Sequence, residues 1–145
     1  MTTKQEIALR NKLHLVCDEV RPVPDNLYGY EKALVAAGVD IINYETFGSY
    51  QGRWLAKIRF PNGEMAYVSD YYGSCSGCDA FEAELGFADE KDIAYAHKLK
   101  DFGRDYLENC LTFDEAMAVA TEHVSWDRDA EDMVAWLNKV KDQTL

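Results

Sequence analysis

Two stretches of alternating character, Trp54-Leu55-Ala56-Lys57-Ile58-Arg59-Phe60 and Met65 to Tyr72, flank Pro61-Asn62-Gly63, and this arrangement constrains the fold more than any other part of the chain. Alternation with period two on both sides of a Pro/Asn/Gly turn specifies an antiparallel hairpin. In the first run Trp54, Ala56, Ile58 and Phe60 share a face, and Lys57 and Arg59 point the other way. If Asn62 and Gly63 form a two-residue loop, Phe60 pairs with Met65, Ile58 with Tyr67 and Trp54 with Tyr71, giving one aromatic-rich face for helices to cover. Val39-Asp40-Ile41-Ile42-Asn43-Tyr44-Glu45 reads as a third strand, and Gly48 and Gly52 as turn residues of the loop that joins it to the hairpin.

Outside this region the pattern is helical. Thr3-Lys4-Gln5-Glu6 is a capping box opening a helix whose apolar stripe is Leu9, Leu13, Val16, Cys17 and Val20, and Pro22-Val23-Pro24 ends it. A short helix from Tyr30 to Ala37 closes at Gly38. After the hairpin, Asp79-Ala80-Phe81-Glu82 reads as a capped helix start. A longer helix from Asp89 or Glu90 to Cys110 carries Tyr95, Leu99, Phe102, Tyr106 and Cys110 on one stripe, with Gly103 marking close packing or a bend. Thr112-Phe113-Asp114-Glu115 is a second capping box. The last helix starts near Asp127 and buries Ala130, Met133, Val134, Leu137 and Val140. The expected fold is α+β, one domain over residues 1–145: a small antiparallel sheet of about three strands, flanked by two N-terminal helices and a helical C-terminal half.

With 48% hydrophobic residues in 145, the chain can bury a core. Its formal charge of −11 disfavours direct binding to nucleic acid or anionic lipid. No apolar run reaches the roughly 20 residues that cross a bilayer, and the first residues lack an apolar signal core, so a cytoplasmic protein is expected. The charge is uneven. Residues 1–78 hold nine acidic and eight basic side chains, and residues 79–145 hold 17 acidic and seven basic. Part of the second set, Asp114, Glu115, Asp127, Asp129, Glu131 and Asp132, falls in helix first turns, where carboxylates suit the helix dipole.

Chemistry is concentrated in Tyr71-Tyr72-Gly73-Ser74-Cys75-Ser76-Gly77-Cys78-Asp79, between a strand and a helix. Cys75 and Cys78 at this spacing are able to chelate zinc or form a redox-active dithiol. A closed zinc site needs two further ligands, for which Cys17, Cys110, His14, His97 and His123 are the only candidates. Cys17 and Cys110 fall on apolar stripes, where a thiol behaves as a small hydrophobe. The bland alternative is a tight strand-to-helix turn with two small thiols packed beneath it. The loop Gly48 to Trp54 offers Tyr50, Arg53 and Trp54 as a small-ligand site, with Arg53 as the anion contact; a plain hairpin loop is the competing reading. The tyrosines near the loops suit a binding surface or the wrapping of sheet edges equally well. There is no Walker loop, no dinucleotide fingerprint, no His-Glu-x-x-His and no legible triad.

Gly48-Ser49-Tyr50-Gln51-Gly52-x-Trp54, followed by a hairpin and Tyr72-Gly73-Ser74-Cys75-Ser76-Gly77-Cys78-Asp79-Ala80-Phe81, resembles a set of small uncharacterised proteins of tailed-phage and prophage genomes. The resemblance spans Glu45 to Leu85, with a similar Trp-Asp at Trp126-Asp127. It implies a phage origin and carries over no catalytic residue or ligand. Small accessory phage proteins often bind host proteins, including defence systems. The resulting expectation is a non-enzymatic protein engaging a host macromolecule, such as a defence or nucleic-acid-handling protein, through its acidic helical half with Asp129, Glu131 and Asp132. A zinc or thiol protein centred on Cys75 and Cys78 is the alternative, and a small-ligand protein using Tyr50, Arg53 and Trp54 a lesser one.

Overall fold

The fold is that of a computed structural model, and the description concerns residues 27, 29–48, 52–73, 81, 85, 93–122 and 129–143. Helix α1 (Gly29–Ala37) leads into strands β1 (Asp40–Gly48), β2 (Gly52–Arg59) and β3 (Met65–Tyr72), and helices α2 (Ile93–Glu108), α3 (Phe113–Glu122) and α4 (Asp129–Val140) follow. The class is α+β: among the described residues, a three-stranded antiparallel sheet in the order β1-β2-β3 has one helix before it and three after. The expected helix over Thr3 to Val20 and most of the helix start at Asp79 to Glu82 lie outside the described residues. No described helix is long and apolar enough to cross a membrane.

The hairpin forms where the sequence places it, with a register one residue away from the two-residue-loop expectation. Arg59 pairs with Met65, Ile58 with Ala66, Lys57 with Tyr67, Trp54 with Asp70 and Arg53 with Tyr71. The loop is Pro61-Asn62-Gly63: the Gly63 N–H donates to Phe60 O at 2.9 Å, and the Phe60 N–H donates to Glu64 O at 2.8 Å. Gly63 takes φ +90°, which a side chain resists, and the Asn62 carboxamide accepts the Glu64 N–H at 3.1 Å. This is the three-residue hairpin with glycine in the left-handed position. Because side chains alternate strictly, one residue of slip exchanges the two faces of β3. Trp54, Ala56 and Ile58 therefore share a face with Ala66 and Val68, while Tyr67, Ser69 and Tyr71 join Arg53, Leu55, Lys57 and Arg59.

Strand β1 runs to Gly48, beyond the expected end at Glu45, because it keeps pairing with β2 until Gly48 meets Gly52. It advances two residues against one of β2 between Ile41 and Asn43, so Ile42 is the extra residue of a bulge. The bulge lets Ile41 and Tyr44, three apart, both pack against the first face. Asp40 and Arg59, directly opposite, form an ion pair at 3.1 Å on the half-exposed rim.

Both faces of the sheet are covered. Over the first, α1 and α2 bring Tyr30, Leu34, Ala37, Leu107 and Cys110 onto Trp54, Ala56, Ile58, Phe60, Ala66 and Val68. Full burial of side chains of this size contributes roughly 1.5–3 kcal/mol each relative to exposure. Gly103 is a close-packing position: a Cβ there would lie 1.9 Å from the Ala33 carbonyl oxygen, so α1 and α2 touch backbone to backbone. Helix α1 ends at Gly38 as expected, with the Gly38 N–H donating to Val35 O and the Val39 N–H to Leu34 O, the pair of bonds of a Schellman turn.

Over the second face, α3 and α4 place Ala116, Ala120, Met133, Leu137 and Val140 on Phe47, Leu55 and Tyr67. The Thr112 capping box forms reciprocally: the Glu115 N–H donates to Thr112 Oγ1 and the Thr112 N–H to Glu115 Oε1, both at 3.2 Å. Lys57, whose side chain alternation sends away from the aromatic face, is not solvated. It is 2% exposed, and its ammonium donates to the carbonyls of Val140 (2.7 Å), Lys141 (2.8 Å) and Gln143 (2.6 Å). A lysine in the central strand thus caps the C-terminus of α4, where free carbonyls and the negative end of the dipole favour a cation. Asn43 adds a bond to the Gln143 side chain at 2.8 Å. Burial lowers the Lys57 pKa while Asp142 opposes the shift, and burial followed by Asp142 pushes Tyr67 up to about 12.

Candidate functional site

The sheet brings together the two halves of the motif that are separated along the chain. Gly48 pairs with Gly52, and Gly52 pairs with Tyr72. The end of β1 at Gly48, the start of β2 at Gly52 and the end of β3 at Tyr72 therefore lie at the same end of the sheet. Side chains tie this end together. The Tyr72 hydroxyl donates to Phe47 O at 3.1 Å across the sheet. The Tyr30 hydroxyl donates to Tyr71 O at 3.3 Å and accepts the Phe81 N–H at 3.4 Å. The chain leaves the sheet after Tyr72 and meets the same aromatic cluster again at Phe81, whose ring lies 5.8 Å from Tyr30 and 5.6 Å from Phe102.

Trp54 is the centre of that cluster. It is fully buried, with Tyr30 at 4.9 Å, Tyr106 at 5.4 Å and Tyr44 stacked at 5.7 Å. Its indole N–H finds no acceptor among the described residues. Below the rings, the Tyr106 hydroxyl donates to Asp70 at 2.5 Å, and the other Asp70 oxygen accepts the Tyr71 N–H at 2.7 Å. Tyr72 is raised in pKa, chiefly by burial and then by Asp129, with a hydrogen bond to Thr46 acting in the opposite direction. Tyr30, Tyr72 and Tyr106 spend their hydroxyls on backbone or on Asp70, so these phenols anchor the sheet end.

The residues singled out from the sequence do not form one site. Trp54 is in the core and Arg53, adjacent in an extended strand, is on the opposite face; Tyr50 lies outside the described residues. Glu131 and Asp132 are exposed on the first turn of α4, whereas Asp129 is only 8% exposed. Cys75 and Cys78 lie outside the described residues, as do Cys17, His14, His123 and Trp126-Asp127. Of the suggested further ligands, Cys110 is fully buried in the first core and His97 is exposed on α2. Among the described residues no three His, Cys, Asp or Glu side chains are grouped to hold a metal ion.

Three features escaped the sequence reading. The capping role of Lys57 has no local signal, because its partners are more than 80 residues away. The Asp70–Tyr106 bond is equally nonlocal. The stacking of Arg53 on Tyr71, with the guanidinium 4.1 Å from the ring centroid, follows once the three-residue loop is chosen, because that register places the two residues opposite each other.

The site and fold define an α+β protein with an aromatic-anchored sheet end and helices on both faces. The chain matches no protein-family model, no curated protein and no solved structure.

Proposed function

We propose that the protein is a non-enzymatic, phage-borne binding protein of the host cytoplasm that engages a host macromolecule, of the defence or nucleic-acid-handling kind, through the outer surface of α3 and α4. The observation that supports this reading is the charge difference between the two helical layers. Helices α1 and α2 carry four acidic and four basic side chains, and α3 and α4 carry six acidic and one basic. Asp114, Glu122, Glu131 and Asp132 are exposed, while the cation beneath them, Lys57, is sealed in the sheet. A one-sided negative field steers a basic partner and sets its orientation.

Affinity capture from host lysate tests it, with the natural protein beside an E122K/E131K/D132K variant. The natural protein is expected to retain a basic partner at low salt, with retention falling as salt rises. The variant is expected to lose that partner. Absence of any enriched partner, or capture unchanged by the reversal, overturns the reading. The zinc or thiol alternative at Cys75 and Cys78 is decided separately by elemental analysis and thiol titration of untagged protein.

A further inference from the structure

We propose that Arg53 and Tyr71 form a binding site for an oxyanion, a carboxylate or a phosphate, carried on a small molecule with a planar ring. The site is on the second face, at the end of the sheet where Gly48 pairs with Gly52, and it does not depend on the acidic-surface reading. Arg53 occupies the middle of a cross-strand row with Phe47 on one side and Tyr71 on the other. Its guanidinium carbon lies over the Tyr71 ring, 4.1 Å from the centroid, and Tyr71, 57% exposed, is the one large hydrophobic side chain among the described residues that stands open to solvent.

A guanidinium has two donor edges of use for an oxyanion, the pair Nη1/Nη2 and the pair Nε/Nη2. In Arg53 one N–H of Nη1 donates to Ser69 Oγ at 3.0 Å, and the Ser69 hydroxyl in turn donates to Trp54 O at 2.8 Å, which holds it in place. The Nε donor is buried and has no acceptor among the described residues. No carboxylate among the described residues pairs with Arg53, in a chain with 26 acidic residues. The contrast is Arg59, on the same strand and face, which pairs with Asp40 directly across β1. Glu45, diagonal to Arg53 on that face, directs Oε1 to the Thr46 N–H instead.

Buried donors in folded proteins are nearly always satisfied, so a buried Arg53 Nε–H without an acceptor calls for a partner that the described residues do not supply. The fork geometry suits a bidentate oxyanion, and the overall negative charge makes such a ligand dependent on this one cation. Presenting the Nε edge takes a rotation of the Arg53 side chain, with the exposed Tyr71 ring moving as its floor. The same ring offers a stacking surface to a planar group attached to the anion.

The test is a titration of isotope-labelled protein with phenyl phosphate, benzoate and inorganic phosphate, read at the Arg53 Nε–H and the Ser69 and Tyr71 amides. Both ring-bearing probes are expected to give saturable shifts at Arg53 Nε–H, and inorganic phosphate a weaker one. The stronger of phenyl phosphate and benzoate identifies the oxyanion. Arg53→Lys keeps the charge and loses the fork, and is expected to remain folded and to bind about tenfold more weakly. Tyr71→Ala, at an exposed position, should reduce the ring-bearing probes to the level of inorganic phosphate. Lack of a saturable shift at Arg53 Nε–H, or equal binding by the Arg53→Lys variant, overturns the proposal.

Discussion

The two faces of the sheet are closed by different physics. The first is sealed by aromatic and aliphatic packing around Trp54, with α1 and α2 pressed together at Gly103 and balanced in charge. The second has an apolar layer too, but its centre is a cation, Lys57, whose ammonium holds the last turn of α4. Packing is insensitive to pH and spreads its stabilisation over many contacts. A buried ammonium concentrates it in three bonds and makes it depend on neighbouring charges. The second face is therefore the one whose centre is held by a charge.

Trp54→Ala probes the first face and is expected to have the largest effect, roughly 3–5 kcal/mol, because the removed ring leaves a cavity bounded by Tyr30, Tyr44 and Tyr106. Urea denaturation checks this; a loss under about 1 kcal/mol would mean that the cluster collapses to fill the space. Lys57→Met probes the second face. It leaves three carbonyls without their donor and is expected to cost about 3 kcal/mol, with hydrogen exchange accelerated first in α4. Uniform acceleration across the sheet would instead make Lys57 part of the global core, and the contrast between the faces would fail.

The second face also carries a pH dependence. Tyr67 sits opposite Lys57, and its folded pKa is raised from 10.0 to about 12. Between these values the folded protein holds a proton that the unfolded chain has released. Its contribution is thus fully present below pH 10 and is lost as the pH rises towards 12. Lys57, lowered from 10.5, acts oppositely: stability rises with pH between its folded value and 10.5. Denaturation midpoints measured from pH 9 to 12 should fall above pH 10 in the natural protein and less steeply in Tyr67→Phe. Parallel curves would remove Tyr67 from the account. The smallest effect concerns the entrance to α3, where Thr112→Ala should cost about 1 kcal/mol by breaking the capping box, measurable as a shift in denaturation midpoint.

Much of the architecture was legible in local signals. The end of α1 at Gly38, the capping box at Thr112, the close-packing role of Gly103 and the hairpin at Pro61-Asn62-Gly63 each depend on residues a few positions apart, or on the absence of a side chain. The register was legible in part. Glycine in the third loop position favours a three-residue turn, and choosing two residues moved Tyr67 and Tyr71 to the wrong face. The candidate sites were less legible. Arg53 and Trp54 look like neighbours in a loop, yet strand geometry sends them to opposite sides of the sheet. Among the acidic residues of α4, helix periodicity and packing bury Asp129 and leave Glu131 and Asp132 outside.

The sequence by itself determined the class of the fold, the positions of its turns and caps, and the uneven charge along the chain, because hydrophobic period and turn chemistry are properties of short segments. Only the tertiary structure decided that both faces of the sheet are covered, that among the described helices the excess of acidic residues lies on α3 and α4, that Lys57 is a buried cap, and that Arg53 Nε has no acceptor among the described residues. Each of these depends on which distant segment arrives at a given face. That choice is made by the register of the hairpin and the packing of helices, to which single residues contribute without marking their partners.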